Sequence, residues 1–300
     1  MKKISLILLL LNGERFLPKL LTVLDNQQGD FSLELIVVDS ASSDKTWEIV
    51  SSLPAGKAGI KYQVLSKKTK IINNIKVFKI KKENFSHGGT RNLAVHKATG
   101  EIVVFLSQDA LPVDKYWLQN LVNHLTNPQI AGVFGRQLPR EETNPIEKYF
   151  YSISYPQESR VIDQNSDLNF SNQNLFFSNV NAAVRRDLLL KFPFRNDLVM
   201  SEDQYWGREV ISAGYNIVYE PQATVFHSHN YNLPGLAQRY FLSGRSQKQL
   251  NLKGKQMQKG IDTSLGLIKY LLLNKPLLLP YSLLYLAIKG GAFFLGKNSR

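Results

Sequence analysis

The 300-residue chain contains no cysteine, so disulfide bonds are excluded and a reducing, cytosolic compartment fits. Acidic residues are also scarce, with 24 Asp and Glu against 37 Lys and Arg, which gives a net charge of +13. Such an excess of positive charge indicates an anionic partner, such as nucleic acid, a phosphorylated substrate or anionic lipid. The length and the 43% hydrophobic content allow one large domain, or one domain with an appendage.

Long uninterrupted apolar runs are missing as well. No run reaches the roughly 18 to 20 apolar residues that a membrane-spanning helix needs. The closest segment, PLLLPYSLLYLAI, contains two prolines and lies between Lys275 and Lys289. The N-terminal MKKISLILLLLNGE has the charge order of a signal peptide, but no small-residue cleavage site follows, and NGE is typical of a turn. We therefore expect a buried first strand and no membrane-spanning helix.

Four short apolar runs predict buried strands: Ile4–Leu10, Leu33–Val38, Glu101–Leu106 and Ala131–Gly135. Amphipathic helical patterns lie between them, in FLPKLLTVLDNQ, SSDKTWEIVSSL and GGTRNLAVHKATG. We expect Gly100 to stop the last of these helices. The alternation predicts an α/β fold, with a mostly parallel sheet and helices on both of its faces.

Two stretches depart from this pattern because they are strongly basic. Residues 55–82 contain nine lysines and no acid, which fits a solvated strand pair or a part of the same basic face as the C-terminal segment. After Tyr231 there are eleven basic residues and one acid, Asp262, among long leucine-rich segments. We therefore expect a core domain in residues 1–230 and a basic, amphipathic helical appendage in residues 231–300.

The composition of this appendage favours a peripheral membrane anchor, in which lysines meet anionic headgroups while leucines enter the interface. The alternative is a helical subdomain that packs on the core or on a second subunit, as in a homodimer. Charge alone would also allow nucleic-acid binding, but the sequence has no nucleic-acid recognition motif, and we expect no such partner.

Two acids follow the strongest apolar runs. Asp39 comes directly after LELIVV, and Asp109 follows EIVVFL after Ser107 and Gln108. Ligands of open parallel sheets bind outside the carboxyl ends of the strands. A lone acid after a strand usually caps a turn, as we expect for Asp44. Two acids at the same edge instead predict a shared ligand site.

Four segments carry a family resemblance. They read LELIVVDSASSDKT, FSHGGTRNLAVHKATGEIVVFLSQDALPVD, SNVNAAVRRDLL and SEDQYWGREVISAGYNIVYEPQATVFHSHNY. Their order resembles family 2 glycosyltransferases, which have the GT-A fold, in the form carried by bacterial rhamnosyltransferases. The resemblance covers roughly residues 4–232 and implies a nucleotide-sugar donor bound at the edge of the sheet.

The resemblance implies that Asp109 holds Mn²⁺ or Mg²⁺ against the donor's diphosphate, where the cation neutralises the leaving group. The metal motif reads Ser107-Gln108-Asp109, so its first acid is absent and these two polar residues count as donor-binding candidates. His227, in FHSHNY, is the expected second metal ligand in preference to His229. An imidazole ligand favours Mn²⁺ over Mg²⁺.

Four further positions are implied as donor contacts. Asp39 matches the family's contact to the nucleobase or ribose, and Ser40 replaces a second acid there. Arg91, at the opening of a helix after HGGT, is expected near the diphosphate or bracing one of the two acids. Asn179 and Asn181 both have amides suited to sugar hydroxyls, and Asn181 is retained as the candidate.

The catalytic base is expected in SEDQYWGREV. Ser201 and Gln204 fit a capping box at a helix start, which would explain the acids by themselves. The resemblance adds that Asp203 takes the proton of the acceptor hydroxyl and that Glu202 contacts the acceptor. A helix N-terminus is expected to keep Asp203 ionised. The implied reaction is a single displacement with inversion, which needs no enzyme nucleophile.

The leading hypothesis is an inverting glycosyltransferase that moves L-rhamnose from dTDP-L-rhamnose to a lipid-linked saccharide acceptor. Its expected place is the cytoplasmic face of the bacterial inner membrane, in surface polysaccharide synthesis. One alternative keeps the fold and uses a UDP-sugar, such as UDP-galactofuranose, UDP-glucose or UDP-N-acetylglucosamine. Another is a non-catalytic binding module, which the missing first acid of the metal motif favours.

Overall fold

The computed structural model describes residues 1–53, 71–166, 177–249 and 256–299. The strands are β1 Lys2–Leu10, β2 Phe31–Asp39, β3 Ile72–Lys79, β4 Ile102–Ser107, β5 Leu111–Pro112, β6 Ile130–Leu138, β7 Arg160–Ile162, β8 Asn181–Arg185 and β9 Asn216–Phe226. The helices are α1 Leu17–Asp25, α2 Thr46–Ser51, α3 His87–Lys97, α4 Trp117–Asn123, α5 Pro145–Ser154, α6 Arg186–Lys191, α7 Glu202–Ser212, α8 Leu233–Gln249, α9 Gln256–Asn274 and α10 Leu279–Asn298.

These strands form one sheet in the order β3-β2-β1-β4-β8-β6-β9-β5, with β7 also paired to β9. The first four neighbours run parallel, as the alternating sequence pattern predicts. Strand β8 then lies antiparallel between β4 and β6, while β9 is parallel to β6. The α/β fold is confirmed, with a parallel first half and a mixed second half. Most of the predicted lysine-rich strand pair, residues 55–82, lies outside the described residues. The described part of it contains β3.

Helices cover both faces of the sheet because the side chains of each strand alternate between them. In β1, Leu6 and Leu8 join one apolar cluster, while Ile7 joins the other. The first cluster takes the buried face of α1 and Trp117 of α4, and the second takes Trp206 of α7. The helices on both faces that the sequence predicts are confirmed.

Gly100 has a different role from the predicted helix stop. Helix α3 ends at Lys97, and Ala98 follows in an extended conformation. A Cβ at Gly100 would lie 2.6 Å from the backbone nitrogen of Ser5 in β1. The residue must therefore be glycine because the loop before β4 passes directly against the neighbouring strand.

The C-terminal helices pack on the rest of the protein through their own apolar cluster. Ile146 of α5 joins Leu236, Leu267 and Tyr285 from α8, α9 and α10 in this cluster. Helices α8 and α10 approach closely, since a Cβ at Gly296 would collide with the carbonyl oxygen of Phe241. The segment after residue 230 therefore packs on the rest of the protein through α5.

The expectation that no segment is long enough to cross a membrane is wrong. Within the described part of the chain, the helical segment Pro276–Asn298 is 23 residues long and includes a stretch of 18 residues with a mean hydropathy of 1.5. By length and composition this segment could cross a membrane, because a helix accommodates Lys289 and two glycines between the apolar residues. One face of this segment is nevertheless engaged, since the Tyr285 hydroxyl donates a hydrogen bond to the buried Glu147 carboxylate.

Candidate active site

The two acids that follow β2 and β4 lie at the same edge of the sheet. Strand β1 pairs with both neighbours, so that Leu10 lies beside Asp39 and Leu9 lies beside Ser107. Asp109 follows two residues after Ser107, just beyond the strand end. The placement predicted from the sequence for this pair of acids is confirmed.

Asp39 and Gln108 mainly hold the loops at this edge. The carboxylate of Asp39 is fully buried and accepts hydrogen bonds from the backbone and hydroxyl of Ser42. The Gln108 amide binds the backbone of Leu11, accepting from its N–H at 3.0 Å and donating to its carbonyl at 2.9 Å. Ser40 is buried beside Asp39 and lines a cavity that Asp39 does not reach.

Asp109 is joined by two histidines from the segment that follows β9. One carboxylate oxygen lies 3.6 Å from Nε2 of His227, and the other lies 3.9 Å from Nδ1 of His229. The ligand atoms of all three residues lie within 4.8 Å of one another. Distances of 3.6 Å and more are too long for hydrogen bonds, whereas two ligands of one cation lie roughly 3 to 4 Å apart.

His227 is prepared to act as a ligand. Its Nδ1 lies 2.8 Å from Oε1 of Gln137, and its backbone N–H donates to the carbonyl of Leu138. Because the Gln137 oxygen can only accept, Nδ1 carries the proton and Nε2 presents its lone pair to Asp109. Burial lowers the pKa of His227 to about 4, so the ring is neutral at pH 7. The donor set therefore fits a divalent cation, and both histidines contribute to it.

Asp203 lies at the start of α7, and its carboxylate is held by backbone N–H groups. The N–H of Asn179 donates to Oδ2 at 3.0 Å, and the N–H of Gln204 donates to Oδ1 at 2.8 Å. The predicted capping box is absent here. Ser201 adopts a left-handed conformation, with φ of 67°, and its side chain makes no capping hydrogen bond.

The environment of Asp203 also differs from the one expected at a helix N-terminus. Burial raises the pKa of Asp203 to about 6, and the Glu202 carboxylate adds to the rise. The N–H groups and Arg91 oppose this shift. The carboxylate still predominates at pH 7, but with a pKa close to neutrality, which suits a general base.

Arg91 pairs with Glu202 rather than with Asp39 or Asp109. Its guanidinium nitrogen Nη1 lies 2.6 Å from Oε1 of Glu202, and both side chains are largely buried. Helix α3 begins at His87, where Ser86 caps it by accepting from the N–H of Gly89. Arg91 is therefore one turn into the helix, and the sequence-based prediction that it opens the helix is wrong.

Asn181 does not fit the predicted donor contact. Its side chain is fully buried, where the amide oxygen accepts from Nε1 of Trp117 at 2.9 Å. The amide nitrogen donates to the carbonyl oxygens of Ala223 and Arg136. These bonds use the amide to join β8 to α4, β6 and β9. The other candidate in the motif, Asn179, instead faces a cavity.

Two adjoining cavities open at this edge of the sheet, and His87, Arg91, Ser107 and Asp109 line both. The smaller one, of about 320 Å³, lies against the ends of β1 and β4. We call it the strand-end cavity; its polar lining includes Ser40, Gln108 and Asn179. The larger one, of about 510 Å³, contains Glu202, Asp203, His227 and His229, and we call it the reaction cavity.

The C-terminal segment supplies part of the reaction cavity. Tyr231, Arg239 and Tyr240 line it from α8 and the turn before it, together with Phe150 and Tyr151 of α5. Sequence reasoning missed these residues because it treated everything after residue 230 as an appendage. The tyrosines at both ends of YNLPGLAQRY, with Arg239 beside the second, are the signal that was available.

Gln137 and His229 were also not selected from the sequence. His229 was set aside for His227, although the two lie on the same side of one extended segment, with ring centroids 4.7 Å apart. The spacing of two residues in an extended chain directs side chains to one face, and this could have indicated both. Gln137, which holds His227 without being a ligand itself, belongs to β6, far from Asp109 and the histidines in sequence. No local pattern marks it.

Comparisons with known proteins agree with this arrangement. A family model described as Glycosyl transferase family 2 matches residues 5–192. The O-antigen chain rhamnosyltransferase RfbN of Salmonella typhimurium is 32% identical over 305 residues, which cover 99% of this chain and 90% of the relative. The O-antigen chain rhamnosyltransferase WbaN of Salmonella anatum is 32% identical over 274 residues, covering 88% of this chain and 80% of the relative.

Solved structures show the fold. Mannosyltransferase PcManGT from Pyrobaculum calidifontis, in complex with GDP-Man and Mn²⁺, aligns with a TM-score of 0.59 at 20% identity, covering 96% of this chain and 75% of its own. S. aureus TarS in complex with UDP-GlcNAc aligns with a TM-score of 0.56 at 18% identity, covering 99% and 91%.

The sheet and these neighbours together show a GT-A-like fold, and the family model and the two relatives identify a glycosyltransferase. The chain belongs to glycosyl transferase family 2. The family resemblance and the enzyme class predicted from the sequence are confirmed.

Proposed function

We propose that the protein is an inverting rhamnosyltransferase that moves L-rhamnose from dTDP-L-rhamnose to a lipid-linked saccharide in surface polysaccharide synthesis. The observation that carries this proposal is the 32% identity to an O-antigen chain rhamnosyltransferase over 99% of the chain. The presence of a base and a metal-ligating group in one cavity supports it. Its proposed place is the cytoplasmic face of the inner membrane.

In this proposal Asp203 takes the proton from the acceptor hydroxyl as the sugar moves to that oxygen. Its two oxygens are already fixed by the N–H groups of Asn179 and Gln204, so the carboxylate does not reorient on substrate binding. Arg91 neutralises Glu202 next to it, which limits the repulsion between the two acids. The sugar is displaced once, with inversion.

The donor's diphosphate is proposed to lie at Asp109, His227 and His229. A divalent cation bound there supplies positive charge that stabilises the departing diphosphate, and the imidazole ligands favour Mn²⁺. Gln137 keeps His227 in the tautomer that can bind a cation. The nucleoside is proposed to extend into the strand-end cavity, toward Ser40 and the segment that Asp39 holds.

The acceptor is proposed to enter from the C-terminal side of the reaction cavity. Tyr151 and Tyr231 line this side and supply aromatic rings against which sugar rings can pack. The Lys289 ammonium lies over the rings of Phe150 and Tyr240. Arg239 lines the same side, and among the described residues it forms no ion pair with an acid. A guanidinium in this position suits a phosphate, as in a lipid-diphosphate-linked saccharide.

Thermal unfolding with nucleotides tests the donor. We expect dTDP with Mn²⁺ to raise the Tm of the protein more than UDP, GDP or CDP with Mn²⁺, because a ligand of the native state stabilises it by mass action. Ligand at about 100 times its Kd contributes about 2.7 kcal/mol, which is a shift of several degrees. Each nucleotide without Mn²⁺ serves as the control.

A larger shift with UDP would retain the enzyme class and replace the donor by a UDP-sugar. An equal shift with and without Mn²⁺ would contradict the metal role given to His227. No shift with any of these nucleotides would contradict the proposed function as a whole.

We also propose that the C-terminal helices bind the surface of an anionic membrane. Large apolar side chains on α9, on α10 and on the turn between them are strongly exposed, including Leu273 at 76%, Leu277 at 94% and Leu295 at 64%. The segment after Tyr231 carries eleven basic residues and one acid, so its charge complements anionic lipid. This combination favours a lipid surface, where the lipid-linked acceptor also lies.

Flotation with vesicles tests this membrane surface. We expect the protein to bind vesicles that contain phosphatidylglycerol and to bind neutral phosphatidylcholine vesicles several-fold more weakly. A variant with Leu273→Ser and Leu277→Ser should lose most of this binding. Leu190→Ser, at a leucine exposed by 42% on α6, is the matched control and should bind normally. A protein that dimerises through these leucines and ignores vesicles would contradict the proposal.

A further inference from the structure

The wall of the strand-end cavity contains buried polar groups without hydrogen-bond partners. Among the described residues, these are Oγ of Ser40, Nε of Arg91 and both side-chain atoms of Asn179. A buried polar group without a partner costs free energy, so native proteins leave few of them. Three such side chains on one cavity wall indicate a polar ligand that completes their hydrogen bonds.

Asn179 is the most demanding of the three. Its side chain is 1% exposed, and neither its NH₂ group nor its carbonyl oxygen has a partner. An amide can donate two hydrogen bonds and accept two through its oxygen. A ligand with neighbouring hydroxyl groups satisfies both sides at once, because each hydroxyl both donates and accepts.

The position of Asn179 determines which part of the donor it meets. Its backbone N–H holds Oδ2 of Asp203, while its side chain lines the strand-end cavity next to Asp109. The reacting carbon of the sugar has to lie between the base and the diphosphate. Asn179 lies at the boundary of the two cavities, because its backbone holds the base of the reaction cavity and the residue lines the strand-end cavity. Its side chain is therefore at the sugar end of the donor rather than at the nucleobase end.

We infer that the side-chain amide of Asn179 binds hydroxyl groups of the transferred sugar and contributes to the choice of that sugar. The inference rests on the proposed function, because it takes Asp203 as the base and Asp109 as the diphosphate site. One residue then links the two halves of the reaction, since its backbone fixes the base while its amide fixes the sugar.

Calorimetry with Asn179→Ala in the full-length protein tests the inference. Binding of dTDP and of dTDP-L-rhamnose is measured with Mn²⁺ for both proteins. We expect the Kd of dTDP to stay within about twofold and the Kd of dTDP-L-rhamnose to rise roughly tenfold, the effect of losing about one net hydrogen bond. The backbone N–H that holds Asp203 is retained in this variant.

Two further variants sharpen the test. Asn26→Ala, an exposed asparagine at the end of α1, should bind both ligands as the unmodified protein does. Asn179→Ser keeps a small polar side chain, and we expect it to show the same selective loss if Asn179→Ala fails to fold. A nucleotide-sugar that lacks the hydroxyl contacted by Asn179 should bind the unmodified protein more weakly than the complete nucleotide-sugar does. Asn179→Ala should bind the two nucleotide-sugars equally well.

Equal weakening of dTDP and dTDP-L-rhamnose would overturn the inference, because the contact would then be to the nucleotide. Unchanged binding of both ligands would overturn it as well. A protein that binds a UDP-sugar instead of dTDP-L-rhamnose contradicts only the proposed donor. The same comparison, made with UDP and that UDP-sugar, then decides the role of Asn179 separately.

Discussion

Replacing Asp203 by asparagine is expected to reduce sugar transfer by about 10²- to 10⁴-fold, the range that a general base contributes. Asparagine keeps the size of the side chain and can still accept the N–H of Asn179 or Gln204, so the start of α7 should stay in place. The amide cannot take a proton from the acceptor hydroxyl. The measurement is the initial rate of transfer together with the Kd of dTDP, which should change by less than about twofold.

The pH dependence of the same reaction separates a base from a structural carboxylate. Below its pKa of about 6, Asp203 is protonated and cannot accept a proton, so kcat/KM should rise with pH through this value and level off above it. The residual activity of Asp203→Asn should lack this acid limb. The matched control is Asp197→Asn, an exposed carboxylate paired with Arg195, which should keep both rate and profile. Full transfer activity in Asp203→Asn would refute the base assignment.

The parts of the site that sequence reasoning located share a simple physical basis. Asp39 and Asp109 follow apolar runs that pair with the same central strand, so their common edge follows from parallel pairing alone. Asp203 and His227 were located by the family resemblance rather than by local chemistry. The position of these two residues along the chain was enough to locate them, because Asp203 lies in the first turn of α7 and His227 directly follows β9.

The assignments that failed depend on the direction of a side chain. Asn179 and Asn181 are two residues apart, and the sequence gives no reason to prefer one over the other. The second lies on β8, where the indole of Trp117 from a distant helix takes up its amide. Strand β8 itself was not predicted, because it lies antiparallel between β4 and β6 and its NAAVR is too short and too small to signal a strand.

Electrostatic interactions between residues far apart in sequence could not be predicted either. Arg91 and Glu202 are separated by 111 residues, and only the packing of α3 beside α7 brings them within 2.6 Å. The raised pKa of Asp203 arises from this packing as well, because burial outweighs the N–H groups that hold the carboxylate. A helix start read from sequence predicts the opposite direction, since it includes the N–H groups and omits the desolvation.

The second large effect concerns cation binding at Asp109 and the two histidines. Asp109→Ala is expected to remove most of the affinity for Mn²⁺. The variant deletes the one carboxylate of the group, and this carboxylate carries the only negative charge among the described ligands. His227→Ala should weaken Mn²⁺ by tenfold or more, roughly the scale of a lost imidazole ligand. The measurement is the Kd of Mn²⁺ by calorimetry in the presence of dTDP, which needs no turnover.

The double variant gives the decisive comparison. If both residues bind one cation, Asp109→Ala with His227→Ala should lose little more than Asp109→Ala alone, since ligands of the same ion are not additive. His124→Ala provides the control, because that histidine pairs with Glu220 outside the metal group. Losses that simply add, or Mn²⁺ affinity unchanged in either single variant, would contradict a shared cation at this group.

Gln137 extends the same argument beyond the ligands. Gln137→Leu removes the oxygen that accepts from Nδ1 of His227, but it leaves every ligand atom in the chain. With that oxygen gone, the ring can place its proton on Nε2, where it blocks the lone pair that faces Asp109. Partners of this kind typically contribute 10- to 100-fold to metal affinity, so the Kd of Mn²⁺ should rise within that range. An unchanged Kd would mean that His227 binds the cation weakly or not at all. Asp109 and His229 would then hold the cation, and the tautomer that Gln137 imposes on His227 would not matter for metal binding.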